Sequence, residues 1–158
     1  MNKTKKTLNT KKNIATNKKA FFNYLILEKY EAGIVLKGYE AKSIRAGKTT
    51  LQESFGKIIK NEIWLINCHI PPYLEASYQN LSPTRDRKLL LHKTEIKKIT
   101  DKITIKGFSL IPLNLYFKNQ NVKIELGLGK PKKLFDKRES LKEKTLQKEI
   151  AVRIRGRG

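Results

Sequence analysis

"FSLIPLNLYFKNQNVKIELGL", residues 108–128, sets two alternating apolar runs on either side of a short polar interruption. That pattern predicts an antiparallel hairpin turning at Asn119-Gln120-Asn121. Ile111, Leu113, Leu115 and Phe117 face inward from the first run, and Val122, Ile124, Leu126 and Leu128 from the second. Side chains alternate along a strand, so Lys118 and Lys123 are left outward beside the turn.

Working outward, "FGKII" stops before Lys60-Asn61 and "IWLINCHI" (63–70) follows, which predicts a second hairpin. In it Trp64, Ile66, Cys68 and Ile70 share the inner face, while Asn67 and His69 point away. "FNYLILEKY" and "AGIVLKG" supply two further strands. Between Gly38 and Gly47, "EAKSIRA" reads as a short helix that packs Ala41 and Ile44 and exposes Lys42 and Arg45. A longer helix over about 92–105 carries Ile96, Ile99 and Ile103 at helical spacing. The fold expected is mainly β with two to three short helices. Six strands with helices at the ends suggest a small barrel of the kind that includes the oligonucleotide-binding fold.

The chain has 158 residues, with 35 Lys+Arg against 14 Asp+Glu, for a net charge of +21. An excess of this size draws polyanions, nucleic acid first among them. Residues 1–19 carry seven lysines and no acid, and residues 130–158 carry eleven cations against four acids, so two short segments own most of the excess. The division expected is a disordered basic arm (1–16), a barrel (17–129) and a basic tail (130–158). Only seven of the cations are arginine, two of them Arg85 and Arg87, and an arginine in a lysine-rich chain points to a need for the planar fork. No apolar run is long enough to span a membrane and no secretion signal is evident. The single cysteine, Cys68, excludes an internal disulfide and agrees with a cytoplasmic location.

Nothing here reads as catalytic machinery. Two histidines and one cysteine fall short of the usual four ligands of structural zinc, and no phosphate loop is present. Glu28, Glu31 and Glu40 read best as surface carboxylates paired with the abundant cations. No cofactor and no metal are expected.

"SPTRDRKLLLHK" (82–93) sets Arg85, Arg87 and Lys88 against three leucines and ends on His92. Unpaired RNA offers phosphates for the cations and splayed bases for flat or apolar surface. Arg85, Arg87 and Lys88 are therefore candidates for phosphate, with Leu89 and Leu91 in the core. Lys42, Arg45 and Lys48, with Asn17 and Lys18, extend the positive surface, and His69, Lys118 and Lys123 join it. Glu31 beside RNA would accept hydrogen bonds from base amino or imino groups. In the tail, Ser140 and Glu143 read as the start of a helix, disordered when free and formed when bound.

The ordered stretches "EAGIVLKGYEAKSIRAGK" (31–48), "PTRDRKLLLHKTEI" (83–96), "GFSLIPLNLYFKN" (107–119) and "KKLFDKR" (132–138) resemble the SmpB, or SsrA-binding protein, family over residues 17 to about 138. The resemblance implies an oligonucleotide-binding barrel that grips the tRNA-like domain of transfer-messenger RNA at its elbow. It also implies delivery, with elongation factor Tu, to stalled ribosomes for trans-translation. It places Leu90, His92 and Glu31 on elbow nucleotides, and the tail in the vacant mRNA channel. There Phe135 would stack near the decoding centre, and Lys132, Lys133, Asp136, Lys137 and Arg138 would set the tail's course. A monomer is expected when free. The rival is a generic basic barrel, a ribosomal protein or RNA chaperone without a dedicated RNA partner.

Overall fold

The computed structural model describes residues 11–72 and 82–155. Among these, the chain forms β1 (Lys11–Thr16), α1 (Lys18–Asn23), β2 (Tyr24–Ile34), α2 (Gly38–Ala46), β3 (Phe55–Ile59) and β4 (Glu62–Ile66). These are followed by β5 (Arg87–Leu90), α3 (Lys93–Lys106), β6 (Ser109–Lys118), β7 (Asn121–Pro131) and α4 (Leu134–Arg155). All pairings are antiparallel, in the order β1-β6-β3-β4-β5-β2-β7, and β6 also pairs β7. That last pairing closes β2 to β7 into a six-stranded barrel, with β1 added outside the ring.

Both predicted hairpins form. Lys60 and Asn61 take φ 50 and 61, and Asn119 and Gln120 take φ 50 and 73. Two consecutive left-handed residues match the twist of the strands they join, and asparagine tolerates that conformation well. Asn121, expected in the turn, is the first residue of β7.

The core gathers Ile63, Leu65, Leu89, Leu110, Leu115, Ile124, Leu126 and Leu128 inside the barrel, capped by Ile44 of α2 and Ile99 of α3. Ile96 and Ile103 pack against the same cluster, as their spacing predicts. A bulge in β6 between Pro112 and Asn114 divides that strand. Before it, Ile111 and Leu113 serve a second cluster with Ala20 of α1. After it, Leu115 and Phe117 serve the main one. Gly129 of β7 lies under β2 so closely that an added Cβ would sit 2.0 Å from the Leu25 carbonyl oxygen.

Four expectations need correction. The segments "FNYLILEKY" and "AGIVLKG" both feed a single strand, β2 (Tyr24–Ile34), after a helix α1 that was not anticipated, and the barrel's sixth strand is β5. In β4 the inner residues are Ile63 and Leu65, not Trp64 and Ile66. Asn67 takes φ 60 and breaks the alternation there, so Cys68 and Ile70 are buried as expected. Residues 11–16, assigned to a disordered arm, are β1, because the far half of β6 offers its open edge. Residues 1–10 of that arm lie outside the described residues. Last, Ser140 does not begin the tail helix; α4 starts at Leu134, and Ser140 Oγ donates within it to the Asp136 carbonyl (3.0 Å).

Candidate nucleic-acid interface

Ala32, Leu115 and Ile124 point into the barrel, so their neighbours Glu31, Gly33, Asn114, Lys123 and Glu125 point out, as does Tyr116, which is buried beneath Lys11 of β1. The strand register sets these outer residues in rows. Leu90 of β5 lies opposite Gly33 of β2, Gly33 opposite Lys123 of β7, and Lys123 opposite Tyr116 of β6. The next row holds Glu31, Glu125 and Asn114.

Leu90 is 52% exposed although Leu89 beside it is buried. Opposite it, Gly33 presents bare backbone, where an added Cβ would come within 3.3 Å of Leu90 Cβ. A flat apolar recess with a lysine two strands away is a suitable seat for an unstacked base.

Glu31 is held from both sides. Tyr116 Oη donates to its Oε2, and Lys118 Nζ donates to Oε1 at 3.1 Å. The Tyr116 hydrogen bond, with Lys118 behind it, keeps the Glu31 carboxyl below its ordinary pKa despite partial burial. Burial first, then the Glu31 hydrogen bond and charge, push the Tyr116 phenol up. Lys11 Nζ lies 4.1 Å from the Tyr116 ring centroid, so β1 completes this cluster. The carboxylate is thus ionised and oriented, with lone pairs left over for a further donor. Asn114 Nδ2 holds Glu125 similarly, at 3.0 Å.

Lys88 is half-exposed and reaches Glu62 at 3.0 Å. His92 is exposed at the start of α3, where its backbone N–H donates to Glu95 Oε1 at 3.3 Å. Lys18 stands on α1, Lys42 and Arg45 on α2, and Lys48 just after it, all exposed. His69 is partly buried and bridges Thr50 through its backbone.

Two expected contacts are structural instead. Arg87 is 0% exposed. Its Nε donates to Glu40 Oε2 at 2.5 Å, and its terminal nitrogens to the carbonyls of Cys68 (2.7 Å) and Pro83 (3.2 Å). Arg85 donates to the other Glu40 oxygen, and the Lys37 N–H reaches that same oxygen at 2.9 Å. Glu40, read from sequence as a surface carboxylate, is therefore a buried anchor joining α2 to β5. Asn17 is 3% exposed: Nδ2 donates to the Leu51 (3.2 Å) and Pro112 (3.0 Å) carbonyls, while Oδ1 accepts from the Ala20 N–H. It caps α1 and has no atom to spare for RNA.

Sequence reasoning missed Tyr116, Gly33 and Glu40. Tyr116 could have been found, because it shares period-two parity with Asn114 and Lys118 rather than with the core residues.

At the other end, the Lys132 N–H donates to the Asn23 carbonyl (2.8 Å) and its Nζ to Ser140 Oγ (2.7 Å). The Lys133 N–H reaches Asp136 Oδ2 at 3.2 Å. Phe135 is 70% exposed in the first turn of α4, followed by exposed Arg138 and part-buried Lys137. Among the described residues, no group of three His, Cys, Asp or Glu could hold a metal ion, and no helix is long and apolar enough to cross a membrane.

A model of the SmpB protein family matches residues 14–156. The chain belongs to the SmpB family. Curated SmpB relatives named SsrA-binding protein agree along nearly their whole length. That of Sulfurihydrogenibium sp. is 51% identical, covering 94% of this chain and 97% of the relative. That of Geobacter metallireducens is 54% identical, covering 91% and 94%. That of Rickettsia canadensis is 54% identical, covering 92% and 96%. A solved chain described as "tmRNA-SmpB: a journey to the center of the bacterial ribosome" superposes with a TM-score of 0.64 at 45% identity, covering 80% of this chain and 92% of that one.

Proposed function

We propose that this SmpB-family chain binds the tRNA-like domain of transfer-messenger RNA (SsrA RNA) and brings it to stalled ribosomes for trans-translation. One observation carries the reading: an exposed leucine beside a bare glycine, flanked by an oriented carboxylate and lysines on the same outer sheet face. Leu90 receives an unstacked base, Glu31 accepts from base amino or imino groups, and Lys88, Lys118 and Lys123 offset phosphate charge. His92 lies beside Leu90 to add a hydrogen bond. Lys18, Lys42, Arg45, Lys48 and His69 contribute at the periphery, and Arg85 contributes through the part of its side chain outside the Glu40 contact.

No part of this needs bond-making chemistry, so the protein acts as a cytoplasmic binding factor, monomeric when free, and elongation factor Tu joins the delivery complex. The binding test is competition: labelled tRNA-like domain is displaced by its unlabelled form at a stated salt concentration and resisted by bulk tRNA. Equal displacement by both would favour a generic basic barrel.

The tail supplies a separate activity. Phe135, exposed in the first turn of α4, stacks on a small-subunit RNA base, and Lys132, Lys133, Asp136, Lys137 and Arg138 direct the helix along the vacant mRNA channel. Apart from its root at Asn23, the helix is polar and mostly exposed. It is therefore expected to be disordered in solution and to form fully on the ribosome. Truncation after Pro131, the end of β7, is expected to preserve RNA affinity within about twofold while abolishing peptide tagging in a reconstituted stalled-ribosome assay. Normal tagging by the truncated chain would remove the tail from the mechanism.

A further inference from the structure

The outer face of β3 and β4, next to Lys88 and Leu90 of β5, has no assigned role, yet its composition is unlike an ordinary solvated sheet. The buried residues of these strands are Ile63, Leu65, Arg87 and Leu89. Alternation therefore turns Phe55, Lys57 and Ile59 of β3, Glu62, Trp64 and Ile66 of β4, and Lys88 and Leu90 of β5 outward, Glu62 pairing with Lys88 at 3.0 Å. Phe55 and Ile59 are exposed, at 45% and 36%. The register sets Trp64 between two lysines, Lys57 on one side and Lys88 on the other. The Trp64 indole N–H finds no acceptor among the described residues, although a shielded indole normally has one.

We propose that this face is a second contact surface for unpaired RNA, on which bases stack against Phe55 and Trp64 while Lys57 and Lys88 meet the phosphates. It rests on the reading that the chain binds RNA, and it extends that interface across the strand Leu90 belongs to. Aromatic rings with interleaved cations recognise single strands by shape and charge rather than by base sequence. The net charge of +21 and the continuity with Leu90 favour a polyanion over a protein partner.

Trp64 is the only tryptophan, so its emission reports on this face alone. The full chain is titrated with decauridylate, and in parallel with labelled tRNA-like domain. Saturable quenching by decauridylate is expected, and Phe55→Ala or Lys57→Glu is expected to weaken that binding between about fivefold and a hundredfold. Both substitutions are at exposed positions, and unchanged circular-dichroism melting checks the fold. If the tRNA-like domain binds but decauridylate does not quench, the second surface is overturned and the main reading stands. Quenching that Phe55→Ala leaves unchanged overturns it as well. If neither RNA binds, both readings fall together.

Discussion

Arg87→Leu is expected to destabilise the barrel by about 3–5 kcal/mol, enough to unfold a marginal domain. The substitution leaves Glu40 buried without its fully buried counter-charge, and it strips the Cys68 and Pro83 carbonyls of a donor. Burial alone would raise the Glu40 pKa; hydrogen bonds from the Lys37 N–H, Arg85 and Arg87 outweigh it and hold the group below its ordinary 4.5. A depressed folded-state pKa stabilises above the unfolded value, so this contribution is present in full above about pH 4.5 and is lost as acid protonates Glu40. Urea denaturation at pH 7 and at pH 4 measures both effects, with the gap between wild type and Arg87→Leu narrowing at the lower pH. A wild-type-like midpoint for Arg87→Leu at pH 7 would show that Glu40 is not the anchor described. Arg87→Lys should recover only part of the loss, since a point charge cannot serve Glu40 and two carbonyls at once.

Glu31→Ala combined with Leu90→Asp is expected to weaken binding of the tRNA-like domain by about a hundredfold or more, with cooperative melting retained. A well-placed base hydrogen bond and one apolar base contact are each worth about 1–3 kcal/mol. The two residues lie on neighbouring rows of one face, so their effects need not add. Filter-binding titrations of the single and double variants at fixed salt measure the loss. Unchanged affinity in the double variant would exclude both positions from the interface. The stability cost should be about 1–3 kcal/mol, chiefly from the buried Tyr116 hydroxyl that loses Glu31.

Much of this was legible because hydrophobic periodicity, about 2 residues along a strand and about 3.6 along a helix, is a local signal. The hairpin over 108–128, the helix of Ile96, Ile99 and Ile103, and the outward Leu90 all follow from it. The failures share a cause: each turned on a partner distant in sequence, or on one backbone angle. Trp64 was turned inward because no pattern of residue types announces that Asn67 will adopt a positive φ and break the alternation. Arg87 looked like a phosphate clamp because its carboxylate lies forty-seven residues away on α2. Asn17 looked like one more polar surface residue, yet its amide bridges Leu51 and Pro112 across the second core cluster. "KKNIAT" offers only Ile14 and Ala15 to a core, and what orders it is a free edge on β6.

That last pairing has a consequence for how the chain is made. Lys11 is registered with Lys118, about a hundred residues later, so β1 waits for a partner translated well after it. At ~5–20 residues per second the wait lasts ~5–20 s. Until then Lys11 has no aromatic ring to cover, and the Tyr116–Glu31 cluster has not been assembled. Among the described strands the earliest is the last stitch, and the recognition face is finished only once β6 has emerged.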